Sequence, residues 1–220
     1  TSDLVVHDLR NPLSIIYGEH NMLEVVLPET VLQDNRELLS LAGSACERMR
    51  RLVDSLLDVA KLETGEMVLQ LVPTNLGPIL VEAVHREKLA ADARGIVLQA
   101  VVADNLPQVL GDGEQLDRVV TNLLDNALKY TPEHGMIVVS AELASDSIVV
   151  RVIDTGPGIP PSERERIFER FAQIAGDRPT RRGFGLGLTF CRLEVEAHGG
   201  HIWVEPGPNG IGSCFAFTLP

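Results

Sequence analysis

The sequence predicts an all-α helical hairpin over residues 1–65, followed by an α+β domain over residues 66–220. The hairpin is predicted by apolar residues at helical spacing that stop at Thr64 and Gly65, a pair typical of a helix end. The α+β domain is predicted by short β-branched or alternating runs that are separated by amphipathic helical patterns. A length of 220 residues is sufficient for two such domains.

The helical hairpin carries a wide apolar stripe. Its first helix is predicted to end at Pro28, and its second to run from about residue 34 to residue 63. Apolar positions of the second helix recur every seven residues at Leu38, Ala45, Leu52 and Val59. Two helices cannot bury such a stripe alone, so we expect a homodimer in which two hairpins form a four-helix bundle. The alternative is a hairpin that packs on its own downstream domain.

The α+β domain is predicted as a mixed sheet with helices on one face. Asp112, with Gln115 three residues later, resembles a capping box and begins a helix that continues through Leu128. Thr74 or Asn75 can cap an earlier helix that runs to about Arg94. Further helices are predicted at about 163–171 and 185–197. The predicted strands are 67–71, 96–102, 136–143, 148–153, 200–205 and 212–219.

Composition narrows the possible partners and location. The 31 acidic and 19 basic residues give a formal charge of −12, which argues against a nucleic-acid partner. Cys46, Cys191 and Cys214 lie in unrelated contexts and predict reduced thiols. No apolar run approaches the roughly 20 residues that span a bilayer, and no signal peptide opens the chain. We therefore expect a cytoplasmic fragment without membrane contact.

The start of the chain indicates that upstream sequence has been removed. Six residues precede His7, which is less than two helical turns and a short lead for a helix that bears a reactive residue. A sensory or membrane segment is expected in that upstream part, so the parent protein could be an inner-membrane sensor.

One pair of candidate site residues lies on the helix that Asp112 is predicted to cap. Asn122 and Asn126 are four residues apart and share a face, with Lys129 and Tyr130 close by. Amide oxygens on a helix can complete a magnesium shell that also takes phosphate oxygens and water. Taken alone, the pair is more typical of a solvated helix face.

A second candidate segment, residues 154–159, follows an apolar strand. Gly156 and Gly158 would let the backbone approach a flat ligand, and Asp154 can accept a hydrogen bond from an exocyclic amine such as that of adenine. A tight turn capped by the aspartate is the alternative.

A third segment, residues 183–188, leads into a predicted helix. Its backbone amides and the positive helix end suit phosphate oxygens. No strand–helix–strand unit with a ribose-binding acid surrounds it, which excludes the dinucleotide-binding pattern.

In this order the segments resemble the sensor histidine kinases, within a wider group that includes type II topoisomerases, Hsp90 chaperones and mismatch-repair ATPases. The resemblance covers essentially the whole chain. The family's H box, N box, first glycine box, F box and second glycine box correspond to segments beginning at His7, Asn122, Asp154, Ile167 and Gly183. The fold implied for the second domain is the α+β sandwich of the histidine kinase/Hsp90/topoisomerase ATPase type.

The resemblance implies ATP and Mg²⁺ as cofactors, autophosphorylation on His7 and phosphoryl transfer to an aspartate of a response regulator receiver domain. It leaves phosphatase activity toward that regulator open. The metal ligand implied is Asn126. The ATP-binding residues implied are Asn122, Asn126, Lys129, Tyr130, Asp154, Gly156, Gly158, Ile159, Phe171, Gly183, Gly185, Leu186, Gly187 and Leu188.

One residue type separates a kinase from the related hydrolases. Those ATPases place a glutamate four residues before the metal-binding asparagine, where it can activate water, and this chain has Asn122 there. An amide cannot act as a general base at neutral pH. We therefore expect the γ-phosphoryl group to be kept for another nucleophile.

His7 is the expected nucleophile. A neutral imidazole offers one nitrogen lone pair, and a carboxylate on the other ring N–H fixes the tautomer. Asp8 resembles the family's acid, and Pro12 would kink the helix enough to bring the two neighbours together. Asn11 matches the position where the family often orients a water that dephosphorylates the partner. An exposed polar residue is an equal alternative for Asn11.

Two further expectations concern motion and docking. Residues 172–182 have loop composition and predict a lid over ATP, in which Arg178, Arg181 or Arg182 reach the phosphates or simply face solvent. The family often has a glycine where this chain has Arg182. The response regulator is expected to dock below His7, across Ile15, Ile16 and Met22 and the facing second helix.

Overall fold

The computed structural model describes residues 15, 16, 18, 22, 23, 26–173 and 185–220. It contains two compact units, Thr1–Thr64 and Gly65–Pro220. The predictions for His7, Asp8, Asn11 and Pro12 fall outside the described residues, as do those for Gly183 and the three lid arginines.

Most of the described part of the first unit is one long helix, α1, over Glu29–Thr64. Helix α1 begins directly after Pro28, so the start predicted at about residue 34 is wrong. The Pro28 carbonyl accepts hydrogen bonds from the N–H groups of Val31 and Leu32 at 2.9 and 3.0 Å. Proline at a helix start costs little because the first N–H groups of a helix have no intrahelical partner.

The apolar stripe of α1 is buried at one end and exposed at the other. Val53 and Leu57 form a buried cluster. Leu38, Leu41 and Met49 are 67%, 62% and 53% exposed. A single chain therefore leaves much of the stripe in contact with water.

In its described residues, 65–173 and 185–220, the second unit contains a five-stranded mixed sheet and three helices. Its strands are β1 (Val72–Thr74), β2 (Val97–Val102), β3 (Val109–Gly111), β4 (Met136–Ala144), β5 (Ser147–Asp154), β6 (Ile202–Pro206) and β7 (Ser213–Leu219). Its helices are α2 (Leu76–Asp92), α3 (Gly113–Tyr130) and α4 (Gly187–Ala197). Short 3-10 turns occupy Pro161–Glu163, Arg166–Phe168 and Pro208–Gly210.

The main sheet has the strand order β2-β4-β5-β7-β6, and β1 pairs with β3 separately. Strands β2 and β4 are parallel, and the other neighbours in the main sheet are antiparallel. Helix α3 packs between α2 and α4, and α2 packs on β2. The core between sheet and helices includes Leu123, Ile137, Val150 and Phe217, all 1% exposed or less. This arrangement confirms the predicted mixed sheet.

Two predicted elements are wrong. Residues 67–71 form no strand, and the backbone N–H of Gln70 instead donates to the Asp112 carboxylate at 3.0 Å. The helix predicted at 163–171 is replaced by two 3-10 turns. It cannot continue because Glu169 is extended and Phe171 has a φ of +59°.

Candidate functional site

Helix α3 presents the two asparagines because its other face is buried. Asp112 caps the helix by accepting from the N–H groups of Glu114 and Gln115, both at 3.2 Å. The reciprocal half of the predicted capping box is missing. Gln115 accepts from Arg118 instead, and the Asp112 N–H donates to His198 Nε2. Asn122 and Asn126 remain half-buried on the partly open face.

The Asn122 amide is oriented by its own helix. Its Nδ2 donates to the Arg118 carbonyl at 3.0 Å. Its Oδ1 faces the first residue of α4, because a Cβ at Gly187 would lie 3.0 Å from that oxygen. The structure therefore brings the N box and the second glycine box together, and a side chain at Gly187 would press on the Asn122 amide.

Asn126, Lys129 and Tyr130 occupy the last turns of α3. Lys129 Nζ donates to the Tyr130 hydroxyl at 2.9 Å and lies 4.5 Å from the centre of the Tyr130 ring. No cluster of three His, Cys, Asp or Glu side chains that could hold a metal occurs among the described residues. The amide oxygen of Asn126 nevertheless fits Mg²⁺, which usually takes one or two protein ligands and completes its shell with phosphate oxygens and water.

Asp154 is the last residue of β5 and is 3% exposed. Its Oδ1 accepts from the Gly156 N–H and its Oδ2 from the Ser213 hydroxyl, both at 2.7 Å. Each oxygen keeps a further lone pair, so the held carboxylate can still accept from a ligand amine. Ser213 was not predicted as a site residue. The signal that could have identified it is its position opposite Asp154 in the β5–β7 register.

The first glycine box packs against the protein's own backbone. A Cβ at Gly156 would lie 2.7 Å from Asp154 Oδ1 and 3.2 Å from the Tyr130 carbonyl oxygen. Gly158 has a φ of +74°, and its Cβ would lie 2.9 Å from the Gly212 carbonyl oxygen. The packing of the chain itself therefore already favours glycine at both positions.

Phe171 and the second glycine box meet at one backbone contact. The Phe171 N–H donates to the Gly185 carbonyl at 2.9 Å, and a Cβ at Gly185 would lie 2.7 Å from the Phe171 carbonyl carbon. Phe171 is 57% exposed at a φ of +59°, a conformation that costs a bulky residue free energy. Leu186 is buried, and Leu188 and Ile159 are half-buried.

The cysteine thiols in the second unit belong to the core. Burial, followed by the charge of Glu194, raises the pKa of Cys191 far above its usual value. Burial and the charge of Glu205 raise the pKa of Cys214 to about 11. Both thiols therefore stay protonated at neutral pH, which makes them poor nucleophiles and poor metal ligands.

Two family models match the chain. Residues 4–65 match the His Kinase A (phospho-acceptor) domain. Residues 111–220 match the histidine kinase-, DNA gyrase B- and HSP90-like ATPase family. Among curated relatives, the adaptive-response sensory kinase SasA of Gloeothece citriformis is 35% identical over 99% of this chain and 56% of its own length. SasA of Thermosynechococcus vestitus is 36% identical over 99% of this chain and 58% of its own length.

Solved structures of histidine kinases are also similar to this chain. Full-length ShkA in complex with AMPPNP superposes with a TM-score of 0.86 at 29% identity, covering 100% of this chain and 45% of ShkA. Histidine kinase ThkA in complex with the response regulator protein TrrA gives 0.66 at 28% identity, covering 99% and 60%. The mycobacterial sensor histidine kinase MprB gives 0.57 at 31% identity, covering 68% and 97%.

The mixed sheet, the α3 asparagines and the two glycine segments define an ATP-binding domain of the class shared by histidine kinases, gyrase B and HSP90. A phosphoacceptor region precedes it. The chain belongs to the sensor histidine kinases. It spans a little over half the length of the curated relatives that it matches. In the part of the chain that the structure describes, no helix combines the length and the hydropathy of a membrane span.

Proposed function

We propose that the chain is the catalytic core of a sensor kinase that transfers the γ-phosphoryl group of ATP to His7 and then to an aspartate of a response regulator. The observation that carries the proposal is the buried Asp154, whose two oxygens are held by Gly156 and Ser213 at 2.7 Å. A carboxylate held in this way accepts the exocyclic amine of adenine without rearranging. Gly156, Gly158, Ile159 and Tyr130 would border the base.

The phosphates would lie toward Gly187 and Asn122. The first amides of α4 have no intrahelical partner, and a helix N-terminus favours anions. Asn126 would bind Mg²⁺, Lys129 would lie near the phosphates, and Gly183, Gly185, Leu186 and Leu188 would complete the glycine-rich backbone around them. Bound Mg²⁺ neutralises charge on the transferred phosphoryl group.

Asn122 favours transfer to protein over hydrolysis. Its Nδ2 is bonded to the Arg118 carbonyl, and an amide cannot remove a proton from water. A hydrolase of the same fold is the competing function, and Asn122 is the residue that argues against it. With water left inactive, one ring nitrogen of neutral His7 attacks the γ-phosphorus and ADP leaves. Asp8 would hold the tautomer of His7, and Asn11 would orient water in any reverse, phosphatase reaction.

We infer that residues 1–65 form the dimerisation and phosphoacceptor domain and residues 66–220 the ATP-binding domain. The exposed Leu38, Leu41 and Met49 of α1 support a homodimer, because a second copy would remove them from water. A receiver domain as partner is supported by the complex of ThkA with TrrA. This part of the chain would act in the cytoplasm, where ATP and receiver domains are found.

The test is incubation of the chain with γ-labelled ATP and Mg²⁺. We expect label on the protein that is acid-labile and base-stable, as a phosphorus–nitrogen bond is, and its loss in His7→Gln. His85→Gln is the matched control, because His85 is an exposed histidine on α2. Chelation of Mg²⁺ should also abolish labelling.

Label that persists in His7→Gln would overturn the assignment of His7. Release of free phosphate without protein labelling would identify a hydrolase instead. A wild-type chain that neither binds ATP nor takes up label would identify a dimeric interaction module.

A further inference from the structure

Helices α3 and α4 lie side by side in opposite directions, and contacts along the pair follow a simple order. From the nucleotide-facing end to the far end, they join Asn122 with Gly187, Val119 with Cys191, and Asp112 with His198. The middle contact is a weak thiol hydrogen bond of 3.6 Å. The contact at the far end is the one strong polar bond of the three.

His198 makes that bond in one protonation state only. The Asp112 N–H can only donate, and it lies 3.0 Å from Nε2, so Nε2 must carry a lone pair. Nδ1 then carries the proton and lies 2.7 Å from the Glu194 carbonyl oxygen, which accepts it. The Glu194 carboxylate lies 3.8 Å from Nδ1, and a second ring proton, on Nε2, would point at the Asp112 N–H. The geometry therefore requires a neutral imidazole.

Asp112 joins three parts of the second unit. Its backbone N–H holds His198 at the end of α4, and its Oδ1 caps α3. Its Oδ2 accepts from the Gln70 N–H at 3.0 Å, in the segment that leads into β1. A shift of His198 would therefore displace the first turn of α3 and the backbone at Gln70 together.

The His198 hydrogen bond fixes the axial position of α4 relative to α3 at the far end. Because a helix is stiff along its axis, the same relative position holds at the nucleotide-facing end. Helix α4 has 11 residues, or about 16 Å at about 1.5 Å a residue. Between these two ends the Arg118 guanidinium lies 4.5 Å from the centre of the Phe190 ring. A hydrogen bond to the buried imidazole weakens steeply with distance and angle, so it fixes the axial position more sharply than these contacts do. At the other end glycine lets α4 approach Asn122 closely, since a Cβ on Gly187 would lie 3.0 Å from Asn122 Oδ1.

We propose that His198 is a positioning residue for the nucleotide site: it holds α3 and α4 in the register at which Asn122 and Asn126 face the first turn of α4. The inference rests on the proposed binding of ATP between these helices. His198 itself lies about the length of α4 away from Gly187 and acts through Asp112.

Two substitutions distinguish the hydrogen bond between His198 and Asp112, called the clamp below, from a role in which His198 only fills space. In His198→Gln the side-chain carbonyl reaches the former position of Nε2 and can accept from the Asp112 N–H. In His198→Asn the amide reaches only the position of Nδ1, so the Asp112 N–H loses its acceptor. Affinity of the full 220-residue chain for a non-hydrolysable ATP analogue with Mg²⁺ should stay within about twofold of wild type in the Gln variant and fall roughly three- to tenfold in the Asn variant.

A second measurement does not depend on the variants or on nucleotide. Nitrogen NMR of the wild-type imidazole at neutral pH should show a protonated Nδ1 and an unprotonated Nε2. The opposite tautomer or a cationic ring would overturn the clamp.

Other outcomes are equally decisive. If the Gln and Asn variants bind the analogue with equal affinity, His198 only fills space. The same conclusion follows if the Asn variant has a lower Tm but an unchanged affinity at temperatures below unfolding. A wild-type chain that has the expected tautomer but does not bind the analogue would overturn the proposed function, and the positioning role with it.

Discussion

At the scale of single residues, the site depends on side chains that are oriented before any ligand arrives. The two oxygens of Asp154 are held by Gly156 and Ser213, and the amide of Asn122 is held by the Arg118 carbonyl. Each of these groups keeps further hydrogen-bonding positions that its holder does not use. Binding then requires little reorganisation, which is how preorganised polar groups gain their strength.

Replacing Asp154 with Asn should weaken nucleotide binding and leave the fold intact. The Asn side chain can still accept from the Gly156 N–H, but it presents an NH₂ group on its other side, where an adenine amine needs an acceptor. Loss of a charge-assisted hydrogen bond predicts an affinity for ATP that is about 10- to 100-fold lower. Isothermal titration of wild type and variant measures this change.

The matched control is Asp146→Asn, because Asp146 lies in the exposed turn between β4 and β5. Its affinity should equal that of wild type. An Asp154→Asn variant with an affinity within about twofold of wild type would contradict the adenine role.

Which site residues the sequence could identify depends on where their partners lie. Asp154 and Asn122 stand in short local patterns of glycines and asparagines, and the structure places both beside the glycine segments. Ser213 and His198 were missed because they act on residues 59 and 86 positions away in the chain. Such roles follow from strand register and helix pairing, which no local pattern contains.

At the scale of elements, the loop after β5 and the start of β7 cross with almost no space between them. A Cβ at Gly212 would lie 1.8 Å from the Asp154 carbonyl oxygen, and Gly212 has a φ of +72°. The site carboxylate therefore depends on a glycine in another strand connection.

The substitution Gly212→Ala should destabilise the domain and weaken nucleotide binding together. The positive φ alone costs an alanine about 1 kcal/mol, and displacement of the Asp154 backbone should raise the total to roughly 3 kcal/mol. Gly210→Ala is the matched control, because Gly210 has a φ of +75° with no atom within 4 Å of its Cβ position. Urea unfolding and titration with an ATP analogue measure the two effects.

Gly210→Ala should lose about 1 kcal/mol and keep the wild-type affinity. Equal losses of stability in the two variants would mean that the backbone crossing adjusts freely to a methyl group.

Long and short elements differed in how well the sequence predicted them. Helix α3 and strands β4 and β5 were predicted to within about two residues, because each has a clear period or a cap. The sequence predicts no strand at β3, which has three residues, and it predicts one helix where the structure has two 3-10 turns. An element of three residues is too short to show a period, so only its pairing partner defines it.

At the scale of the whole molecule, the exposed end of the α1 stripe is the part of the first unit that the proposed homodimer would cover. Leu38→Glu should convert a homodimer into a monomer, because a charge would replace an apolar group in each of the two copies. Loss of about 1.5–3 kcal/mol per leucine predicts a dimer Kd at least about a hundredfold higher. Sedimentation velocity over a range of concentrations measures the change.

Leu89→Glu is the matched control, since Leu89 is an 83% exposed leucine on α2 in the second unit. This variant should sediment as wild type does. A Leu38→Glu chain that remains dimeric at the same concentrations would contradict the bundle.

The long helix of the first unit was recognised from its seven-residue repeat, and its end at Thr64 agrees with the expected stop signal. Its start was placed too late because Pro28 was interpreted only as the end of the preceding helix. A proline can end one helix and begin the next, since it lacks the N–H that the first turn leaves unused.

The packing of the first glycine box also changes how an inactive member of the family should be recognised. Gly156, Gly158 and Gly212 leave room for the protein's own backbone, so a descendant that had lost ATP would still need all three in order to fold. Asp154 would also keep a structural role, since its two oxygens accept from Gly156 and Ser213. Selection on Asn126 would end once the proposed metal was gone. Intact glycine motifs therefore report an inherited fold, and the Asn126 amide is the better indicator of the proposed kinase activity.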